Sequence, residues 1–77
     1  VLNMSIYDLR PGQTGVINNV KGDQRLAKRL SALGFVQGTK VKLQNYAPLG
    51  DPVIIQIRGF KVAIRKNDSK SIYLEEA

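Results

Sequence analysis

Three basic residues with helical spacing are the first candidates for chemistry in this chain. Arg25, Lys28 and Arg29 stand at positions i, i+3 and i+4, which places them together on one face of a helix. Such a cluster can contact an acidic partner or a phosphate, and an ordinary solvated helix face gives the same pattern. On the opposite face, the same spacing predicts an apolar stripe that packs against the domain. Its members are Leu26, Leu30 and Leu33.

A stiff loop is the second candidate contact segment. It consists of Pro48, Leu49, Gly50, Asp51 and Pro52. The two prolines fix φ on either side of Gly50. Stiffness lowers the entropy cost of holding Leu49 in one place, and one interpretation of the loop is an exposed anchor for a protein partner. The other interpretation is a structural connector whose leucine folds back onto the core.

Few residues in this sequence could support catalysis or metal binding. The chain has no histidine and no cysteine, so it lacks the commonest general base and the commonest transition-metal ligands. Its serines have no histidine to activate them, and no glycine-rich nucleotide motif is present. The six carboxylates are dispersed along the chain. We therefore expect neither enzymatic activity, nor a cofactor, nor an intrinsic metal site.

The net charge of +6 raises the possibility of nucleic-acid binding. The basic residues are spread along the chain without a block of like charge. The three tyrosines and two phenylalanines do not form the aromatic pattern of an RNA-recognition strand. A small basic nucleic-acid-binding module is therefore the alternative and not the first interpretation. No apolar run is long enough to span a bilayer.

Turn signals and apolar periodicity predict one small, mainly β domain. Three residues precede Met4, so we expect residues 1–3 to be vector-derived and residues 4–77 to form a single domain. Residues 14–21 form a first strand whose imperfect alternation predicts a bulge or bend. A helix follows, with Asp23 as its N-cap and Gly34 as its left-handed stop.

After Thr39 the apolar period is two, which predicts further strands and, in all, a barrel or sandwich of five. Arg58 to Lys61 forms a tight hairpin turn, and residues 67–70 form a polar turn before the last strand. Ser5 and Asp8 have the spacing of a capped turn, which would place Leu9 in the core. The residues expected to be buried are Leu26, Leu30, Leu33, Val41, Leu43, Val53 or Ile54, Ile57, Val62, Ile64 and Ile72.

Taken together, these segments resemble the FeoA family. The resemblance covers Ser5 to Glu75. It is carried by Arg29-Leu30-x-x-Leu33-Gly34-Phe35-x-x-Gly38, by Ala47-Pro48-Leu49-Gly50-Asp51-Pro52, by Val62-Ala63-Ile64-Arg65-Lys66, by Ile72-Tyr73-Leu74, and by Leu9 and Gly12. The same module is similar to the C-terminal domain of iron-dependent repressors of the DtxR type, and we expect it to stand here without the DNA-binding domain of those repressors.

The resemblance implies a small SH3-like five-stranded barrel, with one short helix inserted between the first and second strands. It also implies a cytoplasmic accessory role in bacterial ferrous iron uptake, through contact with the permease FeoB, a membrane protein with a GTPase domain. A monomer or weak homo-oligomer is expected. The family has no agreed catalytic or metal-binding residues to carry over. The alternative is a basic SH3-like nucleic-acid binder. It would be distinguished from the accessory role because its affinity for nucleic acid falls steeply as the salt concentration rises.

Overall fold

The computed structural model describes residues 4–75, which form one antiparallel sheet and two short helices. The strands are Met4–Ser5 (β1), Thr14–Val20 (β2), Lys40–Tyr46 (β3), Val53–Ile57 (β4), Phe60–Ile64 (β5) and Ile72–Leu74 (β6). The helices are Gln24–Ala32 (α1) and Lys66–Ser69 (α2), and Ile6–Asp8 is one turn of 3₁₀ helix. The expectation for residues 1–3 lies outside the described residues.

The six strands are ordered β1-β6-β2-β3-β4-β5. This is one strand more than expected, because Met4 and Ser5 pair with Leu74 and Tyr73. Helix α1 connects the first two long strands, β2 and β3, as predicted. Strands β1 and β5 are the two edges of the sheet, so strand pairing among the described residues does not close it.

Local signals in the sequence located one of the two register shifts of the sheet and the β4–β5 turn, whereas the shift between Leu43 and Asn45 in the β3–β4 pairing was not predicted. The register between β2 and β6 shifts between Ile17 and Asn19, which is the predicted irregularity in the first strand. Arg58 and Gly59 connect β4 to β5, and both have positive φ, 51° and 83°. Two positive φ values in a two-residue turn match the right-handed twist of the strands on either side.

Helix α1 begins and ends where its capping residues predict. The Asp23 carboxylate accepts a hydrogen bond of 2.8 Å from the Leu26 N–H. At the other end, Gly34 has φ of 103°. The Phe35 N–H then donates to the Leu30 carbonyl at 3.0 Å, the long hydrogen bond of a Schellman stop. The helix axis and the start of the next segment are thereby fixed by local interactions.

The apolar core lies between the sheet and α1. Most of the residues expected to be buried are buried, and Leu26 and Val62 are half-buried. Leu9 is buried as expected. The buried apolar residues are Ile6, Leu9, Ile17, Leu30, Phe35, Val41, Leu43, Val53, Ile55, Ile57, Ile64, Ile72 and Leu74.

The prediction that Leu33 is buried is wrong, since its side chain is 45% exposed. Ala27 is half-buried together with Leu26. The face of α1 that meets the core is therefore centred between Leu26 and Ala27, and Leu30 lies near its middle. At 100° per residue, Leu33 falls at the margin of this face. It is also the C-terminal cap of the helix, so it lies where the helix leaves the core.

No helix among the described residues has the length and apolar character needed to cross a membrane.

Candidate interaction surfaces

The loop from Pro48 to Pro52 holds Leu49 in solvent. Leu49 is 92% exposed, the most exposed large apolar side chain of the described residues. Two backbone hydrogen bonds shape the loop: Ala47 N–H donates to the Pro52 carbonyl at 3.0 Å, and Gly50 N–H donates to the Ala47 carbonyl at 2.7 Å. Of the two interpretations left open by the sequence, the connector whose leucine packs on the core does not fit this geometry.

Contacts with α2 and Tyr7 support the loop from Pro48 to Pro52. The Asp51 carboxylate accepts a hydrogen bond of 3.0 Å from the Lys66 N–H at the start of α2. A Cβ added at Gly50 would lie 3.1 Å from the Tyr7 hydroxyl, so only glycine fits easily against this ring. The loop is therefore supported on two sides while its leucine points outward, which is a suitable arrangement for an apolar anchor.

Tyr46, at the end of β3, fixes the chain segment behind this loop. Its hydroxyl lies 2.6 Å from both the Tyr7 and the Leu9 carbonyl oxygens, and its ring meets the Tyr7 ring edge to face at 5.3 Å. Burial raises the pKa of the Tyr46 phenol, and the nearby Tyr7 and Asp8 raise it further. The hydroxyl is therefore held in its protonated, hydrogen-bonding form.

The basic cluster of α1 does not act as three free cations. Arg29 Nη2 lies 3.0 Å from Asp68 Oδ2 in α2, so Arg29 is engaged within the fold. Arg25 and Lys28 are exposed, and neither side chain forms a hydrogen bond or ion pair with another of the described residues. The charge that this face offers to a partner therefore comes mainly from Arg25 and Lys28.

An apolar groove that sequence reasoning missed lies between the end of α1 and the β4–β5 hairpin. It has a volume of about 340 Å³. Leu33 lies on its helix side and Phe60, which is 72% exposed, on its strand side. Phe60 follows the same period-two alternation as Val62 and Ile64, but the core does not extend as far as Phe60.

A basic surface on the outer face of the sheet was also missed. It consists of Lys40, Lys42, Arg58 and Lys61, with Gln56 among them. Lys42 pairs with Gln56, and Gln56 pairs with Lys61, so the row crosses β3, β4 and β5 in register. No described carboxylate lines the depression between these strands. Combining strand alternation with the hairpin register would have revealed this surface from the sequence.

The described residues contain no group of three or more His, Cys, Asp or Glu side chains that could hold a metal ion. Four of the carboxylates already accept hydrogen bonds from other residues of the chain: Asp8, Asp23, Asp51 and Asp68. Within residues 4–75 these carboxylates therefore lie in separate elements and do not converge on one point.

A small, mainly β domain with one capped helix and several exposed contact surfaces is the class of protein that these observations define. A profile of the family described as the FeoA domain matches residues 4–76. The chain therefore belongs to the FeoA domain family, as its sequence motifs predicted.

The chain is also similar to part of a much longer protein. It is 35% identical over 72 residues to the Fe(2+) transport protein A/Fe(2+) transporter FeoB fusion protein of Porphyromonas gingivalis. The match covers 94% of this chain and 8% of that protein. The chain therefore spans less than a tenth of the curated relative that it matches.

Solved structures confirm the SH3-like fold. The FeoA protein from Chlorobium tepidum is 30% identical, with a TM-score of 0.84, over 92% of this chain and 70% of that one. The FeoA of Stenotrophomonas maltophilia, described as a procaryotic SH3 domain protein complexed with zinc, is 26% identical, with a TM-score of 0.80, over 94% of this chain and 89% of that one. IdeR of T. acidophilum shares the fold, with a TM-score of 0.82 at 20% identity over 96% of this chain and 34% of that one.

Proposed function

We propose that this chain is an accessory protein of ferrous iron uptake that acts in the cytoplasm by binding the permease FeoB. The observation that carries the proposal is the similarity to a protein whose name joins Fe(2+) transport protein A to FeoB in one polypeptide. Fusion keeps two modules at a high effective concentration, which favours their contact. A separate chain of the same family would have to achieve that contact through its own surfaces.

The Leu49 loop and the basic face of α1 are the surfaces that we assign to this contact. Leu49 supplies apolar area that is already held in place, so binding loses little conformational freedom. Arg25 and Lys28 supply uncompensated positive charge that speeds encounter with an acidic surface. Arg29 belongs to the same face, but its ion pair with Asp68 reduces the charge that it offers.

The test combines iron uptake with a direct binding measurement. In a bacterial strain that lacks its own FeoA but has FeoB, the chain is expected to restore ferrous iron uptake. The purified chain is expected to bind purified FeoB in detergent. The double variant Arg25→Glu/Lys28→Glu should slow association and weaken its salt dependence. Arg10→Glu/Lys21→Glu makes the same change in net charge elsewhere and serves as the matched control.

Nucleic-acid binding is the second candidate, and the basic surface of the sheet is the observation that favours it. Counterion release makes such binding fall steeply with salt. If the purified chain binds RNA or DNA tightly at physiological salt and does not bind FeoB, the proposal is wrong. If it binds FeoB, and RNA or DNA only at low salt, the second candidate is excluded.

A further inference from the structure

Strand β5 is an edge that leaves backbone groups free. Among the described residues it pairs only with β4, with Ile57 opposite Phe60 across the two-residue turn. In such a hairpin the closing pair exchanges both hydrogen bonds, and the bonded pairs then alternate along the strands. The N–H and C=O groups of Lys61 and Ala63 therefore point away from β4. No hydrogen bond to an element other than β4 is made by these groups within residues 4–75.

The two faces beside this edge differ in chemistry. Phe60 and Val62 point to the face that carries the apolar groove, whose opposite wall is Leu33. The Lys61 side chain points to the other face, where it continues the row that Lys42 and Gln56 form across β3 and β4. Arg58, at the turn, borders both faces. Lys61 and Ala63 are both exposed, so the edge itself is accessible.

We propose that β5 accepts an extended segment of a partner protein as an additional strand, in which apolar and acidic residues alternate. Successive side chains of an added strand point to opposite faces. Its apolar side chains would fill the groove between Phe60 and Leu33. Its acidic side chains would lie beside Lys61 and the row of cations behind it. The added strand deepens the proposed function, because it gives the chemistry of the segment that the partner contributes. The inference rests on the proposed function only for the identity of that partner.

The charge around the β5 edge favours an acidic partner strand over a second copy of the chain. Pairing β5 with another β5 would bring two copies of Lys61, each on a chain of net charge +6, to one edge. A lysine on an edge strand is a common device against self-pairing for this reason. No described carboxylate lines the groove or the depression on the basic face. The edge is therefore complementary to an acidic strand and repels its own copy.

The probe is a blocked eight-residue synthetic peptide of alternating valine and glutamate. Its control has the same composition with the four glutamates grouped together. Amide hydrogen exchange is followed by NMR on the whole chain. In the free chain, the Lys61 and Ala63 amides should exchange much faster than those of Val62 and Ile64, which face β4. At saturation the alternating peptide should slow exchange at Lys61 and Ala63 by about tenfold or more, because each amide gains a hydrogen bond.

Substitutions test the three features of the edge separately. Ala63→Pro removes an outward N–H but no hydrogen bond to β4, so it should leave the chain folded and weaken peptide binding about tenfold or more, whereas Ala63→Ser should not. Lys61→Glu should weaken binding about two- to fivefold, the range of an exposed ion pair, whereas Lys21→Glu should not. Leu33→Ser should weaken binding through the groove, whereas Leu49→Ser should not.

Three outcomes overturn the proposal. The first is that the alternating peptide, at millimolar concentration, does not slow exchange at Lys61 and Ala63. The second is that folded Ala63→Pro binds the peptide as well as the parent chain does. The third is that these two amides become protected without peptide as the protein concentration rises, since this would make a second copy the occupant. None of these results bears on contact with FeoB through α1 or the Leu49 loop.

Discussion

Arg29 of α1 and Asp68 of α2 are 39 positions apart in the chain, and their side chains form an ion pair of 3.0 Å. The Asp68 side chain is 16% exposed and that of Arg29 is 56% exposed. Helix α2 itself is a single turn, so it has little stability of its own. The pair therefore fixes the position of α2, whose first N–H in turn holds Asp51 of the Leu49 loop.

Replacing Arg29 is expected to destabilise the chain slightly. Arg29→Ala should lower the free energy of unfolding by about 0.5–1 kcal/mol, because a partly exposed ion pair is lost. Arg25→Ala, one turn earlier and without such a partner, should change it by less than about 0.5 kcal/mol. Urea denaturation measures both. Equal losses in the two variants would mean that the ion pair does not hold α2 in solution.

Gly34 is expected to tolerate no β-branched residue. A Cβ there would lie 3.5 Å from Ile57 Cδ1, which is an ordinary contact, so space is not the limit. The limit is the backbone, since φ is 103° and L residues rarely adopt it. Gly34→Val should lower the free energy of unfolding by about 1–2 kcal/mol or more.

Asparagine provides the control at this position, because it tolerates positive φ better than other L residues. Gly34→Asn should therefore cost less than Gly34→Val in the same urea titration. An unchanged denaturation midpoint for Gly34→Val would show that residue 34 does not have positive φ in solution.

Because of Tyr46, the stability of the chain should fall at alkaline pH. The pKa of its phenol is raised from the usual 10.0 in the folded chain, so the folded state holds this proton more tightly than the unfolded state does. Its contribution is fully present below about pH 10 and is lost as the pH rises through the higher folded value. Tyr46→Phe should remove this component of the pH dependence.

The same variant also loses the hydrogen bond to the Tyr7 and Leu9 carbonyls. At neutral pH it should therefore lower the free energy of unfolding by about 1 kcal/mol. Tyr73→Phe is the control, since no hydrogen bond of the Tyr73 hydroxyl occurs among the described residues. Unfolding followed from neutral to alkaline pH tests both effects. Parallel curves for the parent and Tyr46→Phe would contradict the role of the phenol.

Ferrous and zinc ions should bind the isolated chain more weakly than about micromolar. The chain has no histidine or cysteine. Four of its carboxylates are already engaged as hydrogen-bond acceptors in separate elements. Calorimetry under anaerobic conditions tests this expectation, and a stoichiometric site tighter than micromolar would contradict it.

The features that the sequence predicted well depend on neighbours within a few residues. The cap at Asp23, the stop at Gly34 and the turn at Arg58 and Gly59 are all decided locally. Strand alternation likewise placed Ile57 and Ile64 on the inward face of the sheet. Arg25 and Lys28 are exposed because helical spacing places them away from the apolar stripe of α1, whereas the sequence left open whether Leu49 is exposed or packs on the core.

The features that the sequence did not predict depend on how separate helices and strands pack against one another. The ion pair of Arg29 requires α2 to lie beside α1, and no local pattern encodes that distance. Leu33 and Phe60 follow the periodicities of a buried helix stripe and a buried strand face. They are exposed because the helix and the hairpin both extend past the end of the core, which only the packed structure determines.

Leu49 should act on partner binding and not on stability. It is 92% exposed, so Leu49→Ala removes almost no contact within the fold and should change the free energy of unfolding by less than about 0.5 kcal/mol. If Leu49 is an anchor, its loss should speed dissociation from FeoB about tenfold with little change in association, because apolar anchors act mainly on lifetime. Surface plasmon resonance measures both rates, and Leu33→Ala is the matched change in the groove.

The two leucines separate the two surfaces. Faster dissociation for Leu49→Ala alone would assign the FeoB contact to the loop. Faster dissociation for Leu33→Ala alone would contradict the loop as the anchor and assign the contact to the groove beside β5. A fall in thermal stability for Leu49→Ala would contradict its exposure in solution, because an exposed side chain has no packing to lose.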